Sequence, residues 1–172
     1  MHILTRLEAA LGMVAEWLAW VGMVAMLLMA FHVGINISYR WATGRDIEMT
    51  LEIVTYYYMV ALVYLPMAFI DRAGGHITAD LFSQFLPPRV VRYVDVFFRV
   101  LLAAFFAVLA WITLRDAIER TIDGEAVMSA FGPFDVWASR WSVPIGFGLA
   151  CIYTVVLALK QLVENTTDRP AT

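Results

Sequence analysis

His76 and Asp80 stand four residues apart, a spacing that puts an imidazole and a carboxylate on one face of a helix, where they could hold a metal ion or share a proton. Two donors without a third do not specify a metal site, so no metal is expected here. Glu52 lies one turn after Glu48 and one turn before Tyr56, at the edge of an apolar run. Carboxylates at such edges couple protons or ions in transporters, or bridge to cations; here Arg40, Arg45 or a neighbouring chain is the expected partner. Asp95 and Arg99 repeat the four-residue spacing, which predicts an ion pair with the guanidinium reaching toward lipid headgroups. His32, with Asn36 one turn on, is the only histidine inside an apolar run. A haem would need a second axial ligand on a facing helix, so a hydrogen bond to a neighbouring helix is the expected role of His32. Cys151 has no second thiol to pair with. The chain offers no nucleophile and base pair, phosphate loop or thiol pair, so it is not read as an enzyme and no cofactor is expected.

The elements that must position these residues are set by composition. Of 172 residues, 62% are hydrophobic and 16% charged, against about 45–50% and about 25% in soluble domains. Four stretches carry no Asp, Glu, Lys or Arg: Trp17 to Tyr39, Ile53 to Ile70, Val100 to Leu114 and Trp141 to Leu159. With a few flanking residues each reaches the roughly 20 that a helix needs to cross a bilayer core. The fold class is an all-α membrane protein, one membrane domain over 1–172, with four transmembrane helices at about 14–39, 50–71, 89–120 and 134–162 and short interfacial amphipathic helices. Net charge is −3, too small to point to a nucleic-acid partner.

Ile3, Leu4, Leu7 and Leu11, with Arg6 and Glu8 on another face, predict a short interfacial helix leading into a retained first span. Trp17 and Trp20 suit the headgroup boundary, and Pro66 is expected to bend the second span. The third helix is expected to start at Pro88, where proline is tolerated in a first turn, and to stop at Gly124. At 1.5 Å per residue it would be roughly 54 Å long, so it must tilt or project into water. Four-residue pairs, Arg115 with Glu119 and Asp116 with Arg120, lie beyond the apolar stretch. A loop through Gly132-Pro133 then leads to the fourth helix. Gly146 with Ala150, and Ala103, Ala107 and Ala110, form small-residue stripes on which helices approach closely.

The polar link between the second and third spans has its own pattern. Gly74-Gly75 permits a sharp turn, Pro87-Pro88 ends the segment, and Ile77, Leu81, Phe82, Phe85 and Leu86 share one helical face opposite Asp80, Ser83 and Gln84. This predicts an interfacial helix over about 77–86, with His76 and Asp80 anchoring it. Counting Lys and Arg near span ends gives Arg6, Arg72, Arg89, Arg92, Arg99, Lys160 and Arg169 on the side of the termini, against Arg40, Arg45, Arg115, Arg120 and Arg140. Seven against five favours both termini in the cytoplasm.

The chain resembles the small membrane subunit, DctQ type, of tripartite ATP-independent periplasmic (TRAP) transporters. The likeness runs through Glu52 at the start of an aromatic-rich second span, Arg72 followed by Gly75-His76-Ile77-Thr78-Ala79-Asp80-Leu81, the Leu86-Pro87 end, Gly132-Pro133 and Pro144-Ile145-Gly146. It departs at Val63-Tyr64-Leu65-Pro66, where members often carry a glycine. The resemblance implies a partner, the large TRAP permease subunit (DctM type), and a periplasmic substrate-binding protein (DctP type) that delivers a small organic acid. It further implies a bacterial inner-membrane location and uptake driven by an ion gradient, typically sodium, with solute and ion sites in the large subunit. Glu52, Arg72, Gly75, His76, Asp80 and Arg99 are then structural or partner-contact candidates. Two alternatives stay open: a self-contained small transporter using Glu16 or Glu52, and a membrane anchor of a redox complex.

Overall fold

A computed structural model of the chain describes residues 2–72 and 88–167. Those residues form an antiparallel four-helix bundle in which every span is long and apolar enough to cross a membrane. The first helix, His2–Thr43, runs without a break, so the expected lead-in helix and the first span are one continuous element. No proline interrupts residues 1–15, and backbone hydrogen bonding propagates through an amphipathic start as readily as through an apolar middle. Its buried positions are small: Gly12, Ala15, Gly22 and Ala25, repeating at three- and seven-residue spacings. Such a seam lets a neighbouring backbone come close.

The second span covers residues 50–72 in pieces: a turn of α-helix at Thr50–Glu52, a π-helical segment at Ile53–Tyr58, then α-helix at Met59–Tyr64 and Met67–Arg72. Where a bend is expected, Pro66 interrupts the hydrogen-bond ladder. Without an N–H it cannot bond back to Leu62, and the next amides regroup on its own carbonyl, Phe69 N–H at 2.9 Å and Ile70 N–H at 3.1 Å. The interruption sits where neighbouring helices come closest. An added Cβ at Gly22 would lie 2.8 Å from Pro66 Cγ, and one at Gly146 would run into the Tyr64 carbonyl, 2.7 Å from its carbon.

The third helix is Pro88–Asp123, with the start and stop expected from the sequence. Gly124, at φ 61°, takes the left-handed conformation that closes a helix. Gly124 N–H donates to Thr121 O at 3.4 Å and Glu125 N–H to Arg120 O at 3.0 Å, the paired bonds of a Schellman stop. In place of the expected plain loop, the chain then forms a β-hairpin. Strand β1 (Ala126–Ser129) pairs antiparallel with β2 (Gly132–Asp135), joined through Ala130 and Phe131, with Val127 opposite Phe134. A 3-10 turn, Trp137–Trp141, feeds the fourth helix, Ser142–Thr167.

The core lies between the third and fourth helices and the inner half of the second span. Phe106, Phe147, Ala150, Ala68 and Ala15 form its buried centre. Phe147 takes Tyr64 edge-on at 5.5 Å and lies 6.0 Å from Phe106. Lys160 meets Glu8 at 2.8 Å, which joins the two ends of the bundle's chain on one side.

Candidate functional site

Polar side chains gather at the end of the bundle opposite the termini, in two clusters. The first lies where the first helix passes into the second span. Gly44 (φ 72°) and Met49 (φ 58°) both adopt left-handed backbone, which folds the link 44–49 back over the helix end. Asn36 holds that link: its Oδ1 accepts the Ile47 amide at 2.7 Å and its Nδ2 donates to Asp46 Oδ1 at 3.3 Å. Thr50 Oγ donates to Ile47 O at 3.0 Å and lies 3.4 Å from His32 Nε2, while His32 faces the Tyr58 ring edge-on at 6.0 Å. The expected bond from His32 to a neighbouring helix is therefore present. It is the link's polar groups that this cluster satisfies, as an apolar surrounding requires.

Glu52 is half-buried beside the cluster, and the expected bridge to Arg40 or Arg45 is not formed. Arg40 instead lies 3.6 Å from Asp46, because Asn36 draws Asp46 over the end of the first helix. Among the described residues Glu52 has no ion pair. Its side chain stands at the last α-helical residue before the π-segment, a type of distortion that recurs at functional sites.

The second cluster clamps the base of the hairpin. Arg140 donates to both oxygens of Glu125, from Nε at 3.0 Å and from Nη2 at 2.8 Å, a bidentate pair between the residue that precedes β1 and the 3-10 turn that follows β2. The same Glu125 carbonyl accepts the Val136 amide at 2.9 Å, and Val136 is fully buried. The hydrogen bond from Arg140, opposed in part by desolvation and reinforced by the charges of Arg140 and Arg120, lowers the Glu125 carboxyl below its ordinary range. Trp141 Nε1 donates to Thr121 Oγ at 3.0 Å, and Tyr57 OH donates to Asp135 O at 2.9 Å, with its ring edge-on to Phe134. The hairpin is thus tied to the second, third and fourth helices.

The other candidates fall apart from these clusters. Arg99 is half-buried on the third helix and, among the described residues, makes no ion pair with the exposed Asp95; an exposed pair of this kind gains too little to fix two long side chains. Likewise Asp116 and Arg120 meet at 3.3 Å, whereas Arg115 and Glu119 do not. Arg72 ends the last helical piece of the second span. Gly75, His76, Asp80 and the expected interfacial helix at 77–86 lie outside the described residues. Among the described residues no three His, Cys, Asp or Glu converge as a metal site. Cys151, half-buried, donates to Ala103 O at 3.4 Å, so its sulfur serves the helix contact. Sequence inspection missed Glu125, Arg140 and Tyr57. They are joined across 15 and 78 residues, beyond the reach of any helical spacing rule.

Comparison with known proteins gives one positive result. Residues 29–164 match the family model described as tripartite ATP-independent periplasmic transporters, DctQ component. No curated protein and no solved structure matches the chain. The matched region contains both polar clusters, the proline interruption, the hairpin and the last third of the first helix, so the chain belongs to the DctQ component family of the tripartite ATP-independent periplasmic transporters.

Proposed function

We propose that this chain is the fixed, non-catalytic scaffold of a TRAP permease: it pairs with the large permease subunit (DctM type) in the bacterial inner membrane, both termini in the cytoplasm, and a periplasmic binding protein (DctP type) delivers a small organic acid whose uptake a sodium gradient drives. The observation that carries the reading is the apolar surface the bundle leaves open. Trp17, Phe31, Phe97 and Trp111 are each more than 60% exposed, and they lie on the first and third helices. Large apolar side chains exposed in this number need lipid or a partner to cover them. The polar groups inside the spans point the same way. His32 and Asn36 bond within the chain, which fits a part that holds its shape while solute and ion bind elsewhere. Glu52, Arg72, Gly75, His76, Asp80 and Arg99 remain the residues through which the partner would be contacted. The excess of Lys and Arg on the side of the termini supports their cytoplasmic placement.

Reconstitution tests this directly. Proteoliposomes containing this chain alone are expected to show no sodium-dependent uptake of organic acid, and those holding it with the large subunit and the binding protein are expected to show uptake. Flux through the chain alone would replace the scaffold by a self-contained transporter.

A further inference from the structure

A groove of about 310 Å³ runs between the third and fourth helices at the hairpin end of the bundle. One wall is Ala107, Trp111 and Leu114, the other Trp141, Ile145 and Gly148, so both helices contribute residues at helical spacing, the small Ala107 and Gly148 among them. The wall from Ala107 to Leu114 extends about 10 Å, two thirds of the roughly 15 Å apolar depth of one leaflet. The lining is almost wholly apolar, and the volume falls at the low end of the about 300–1,000 Å³ of ligand sites. Trp141, fixed through its Nε1 bond to Thr121, stands at the mouth, where an indole suits the headgroup level.

Charge distinguishes this mouth from an ordinary lipid-facing crevice. At the hairpin end, Arg120 is taken by Asp116 and Arg140 by Glu125. Arg115, next after Leu114 and one turn beyond Trp111, is exposed and has no ion pair among the described residues. Glu119, one turn further along, is also exposed and forms no bridge to it. Arg115 stands outside the lining but within one helical turn of Trp111 and Leu114, so its long side chain can reach a phosphate attached to a chain seated in the groove.

We propose that this groove holds one acyl chain of an anionic phospholipid from the leaflet at the hairpin end, with Arg115 on its phosphate. The site uses residues of this chain alone and stands independently of the transport partners assigned above. A seated chain fills the gap that the paired helices leave open below Trp141, and the headgroup neutralises the one arginine of the third helix's outer turns that has no partner among the described residues.

Native mass spectrometry of the chain, released from nanodiscs of equal phosphatidylglycerol and phosphatidylcholine, tests the site. One retained phospholipid is expected, with phosphatidylglycerol favoured roughly fivefold, the effect of one basic residue at an anionic surface. Gly148→Leu should abolish retention of both lipids while leaving the fold intact, because an added Cβ there meets no atom within 4 Å. Ala107→Leu, on the opposite wall, should do the same. Arg115→Gln should keep a lipid and lose the preference, and Glu119→Gln should strengthen it. Equal retention in the wild type and the two leucine variants would overturn the proposal. So would crosslinking of an Ala107→Cys variant, made in a Cys151→Ser background, to the large subunit with no lipid retained, since the groove would then seat a partner helix.

Discussion

Of the first helix's most apolar window 11% of residues are buried, against 44% in the fourth helix, although the two windows differ little in mean hydropathy, 2.1 against 2.0. Hydropathy therefore identifies a span without saying what it faces. The fourth helix is the hub: Gly146 meets the second span, Ala150 and Phe147 the core, and Arg140, in the 3-10 turn that feeds it, the hairpin base. The first helix buries its small seam against the bundle, adds a few polar contacts at its two ends through Glu8, His32 and Asn36, and turns Trp17, Phe31 and their neighbours outward. In lipid there is no hydrophobic gain in hiding leucine from leucine, so close packing and polar bonds decide which helix is central.

This contrast is most easily broken at Gly146. A Gly146→Val variant should push the Tyr64 backbone aside and lower stability by about 3 kcal/mol or more, since backbone yields less readily than a side-chain tip. Thermal unfolding in mild detergent reads it. A fall no larger than that of a lipid-facing control would remove the fourth helix from its central place.

The next largest effect is expected at the clamp. Arg140→Met leaves Glu125 half-buried without its bidentate donor and should cost about 1.5–3 kcal/mol. The sign of the pH dependence follows from the lowered Glu125 pKa. With the folded value below the unfolded one, the clamp contributes fully above the ordinary carboxylate range and is lost as pH falls through the lowered value. Acid titration followed by tryptophan fluorescence should therefore destabilise the wild type over that interval and leave Glu125→Gln flat. A parallel response of both proteins would detach the clamp from hairpin stability.

The smallest effect sharpens the first helix's side of the contrast. Gly34 sits mid-helix with open space around it, so Gly34→Ala should stabilise the isolated chain by up to about 1 kcal/mol through helix propensity alone. If this face meets the large subunit, Phe31→Ala should change the isolated chain's stability by less than about 0.5 kcal/mol yet reduce recovery of the complex in copurification. Unchanged recovery would leave the face to lipid.

Much of this was legible in the sequence where local chemistry decides the outcome. Pro88 and Gly124 bracket the third helix because one lacks an amide that a first turn does not need and the other accepts positive φ. Pro66 marks where the second span departs from regular helix for the same kind of reason, although the sequence reads as a bend and the structure has an interruption. The hairpin was not legible: its turn is Ala130-Phe131, with none of the Asn-Gly or Asp-Gly chemistry that marks a tight turn, and its strands are four residues long. The π-segment Ile53–Tyr58 reads as ordinary helix, since nothing in a β-branched and aromatic run announces a wider turn. Glu52 and Arg99 were visible as charges at span edges, but their partners depend on which acid a distant asparagine or arginine has already engaged. The clamp is a product of tertiary folding and has no one-turn signature.

The unbroken third helix has one further geometric consequence. At about 54 Å it would need to lean by roughly 56° to fit within a 30 Å core, beyond the roughly 40° limit of known tilts. Even at that limit about 11 Å of it stands outside the hydrocarbon. The turns from Asp116 to Asp123 carry the Schellman stop and the clamped hairpin directly above them. The hairpin is thereby carried beyond the hydrocarbon, into the headgroup layer where Trp141 meets Thr121, and three helices brace it there.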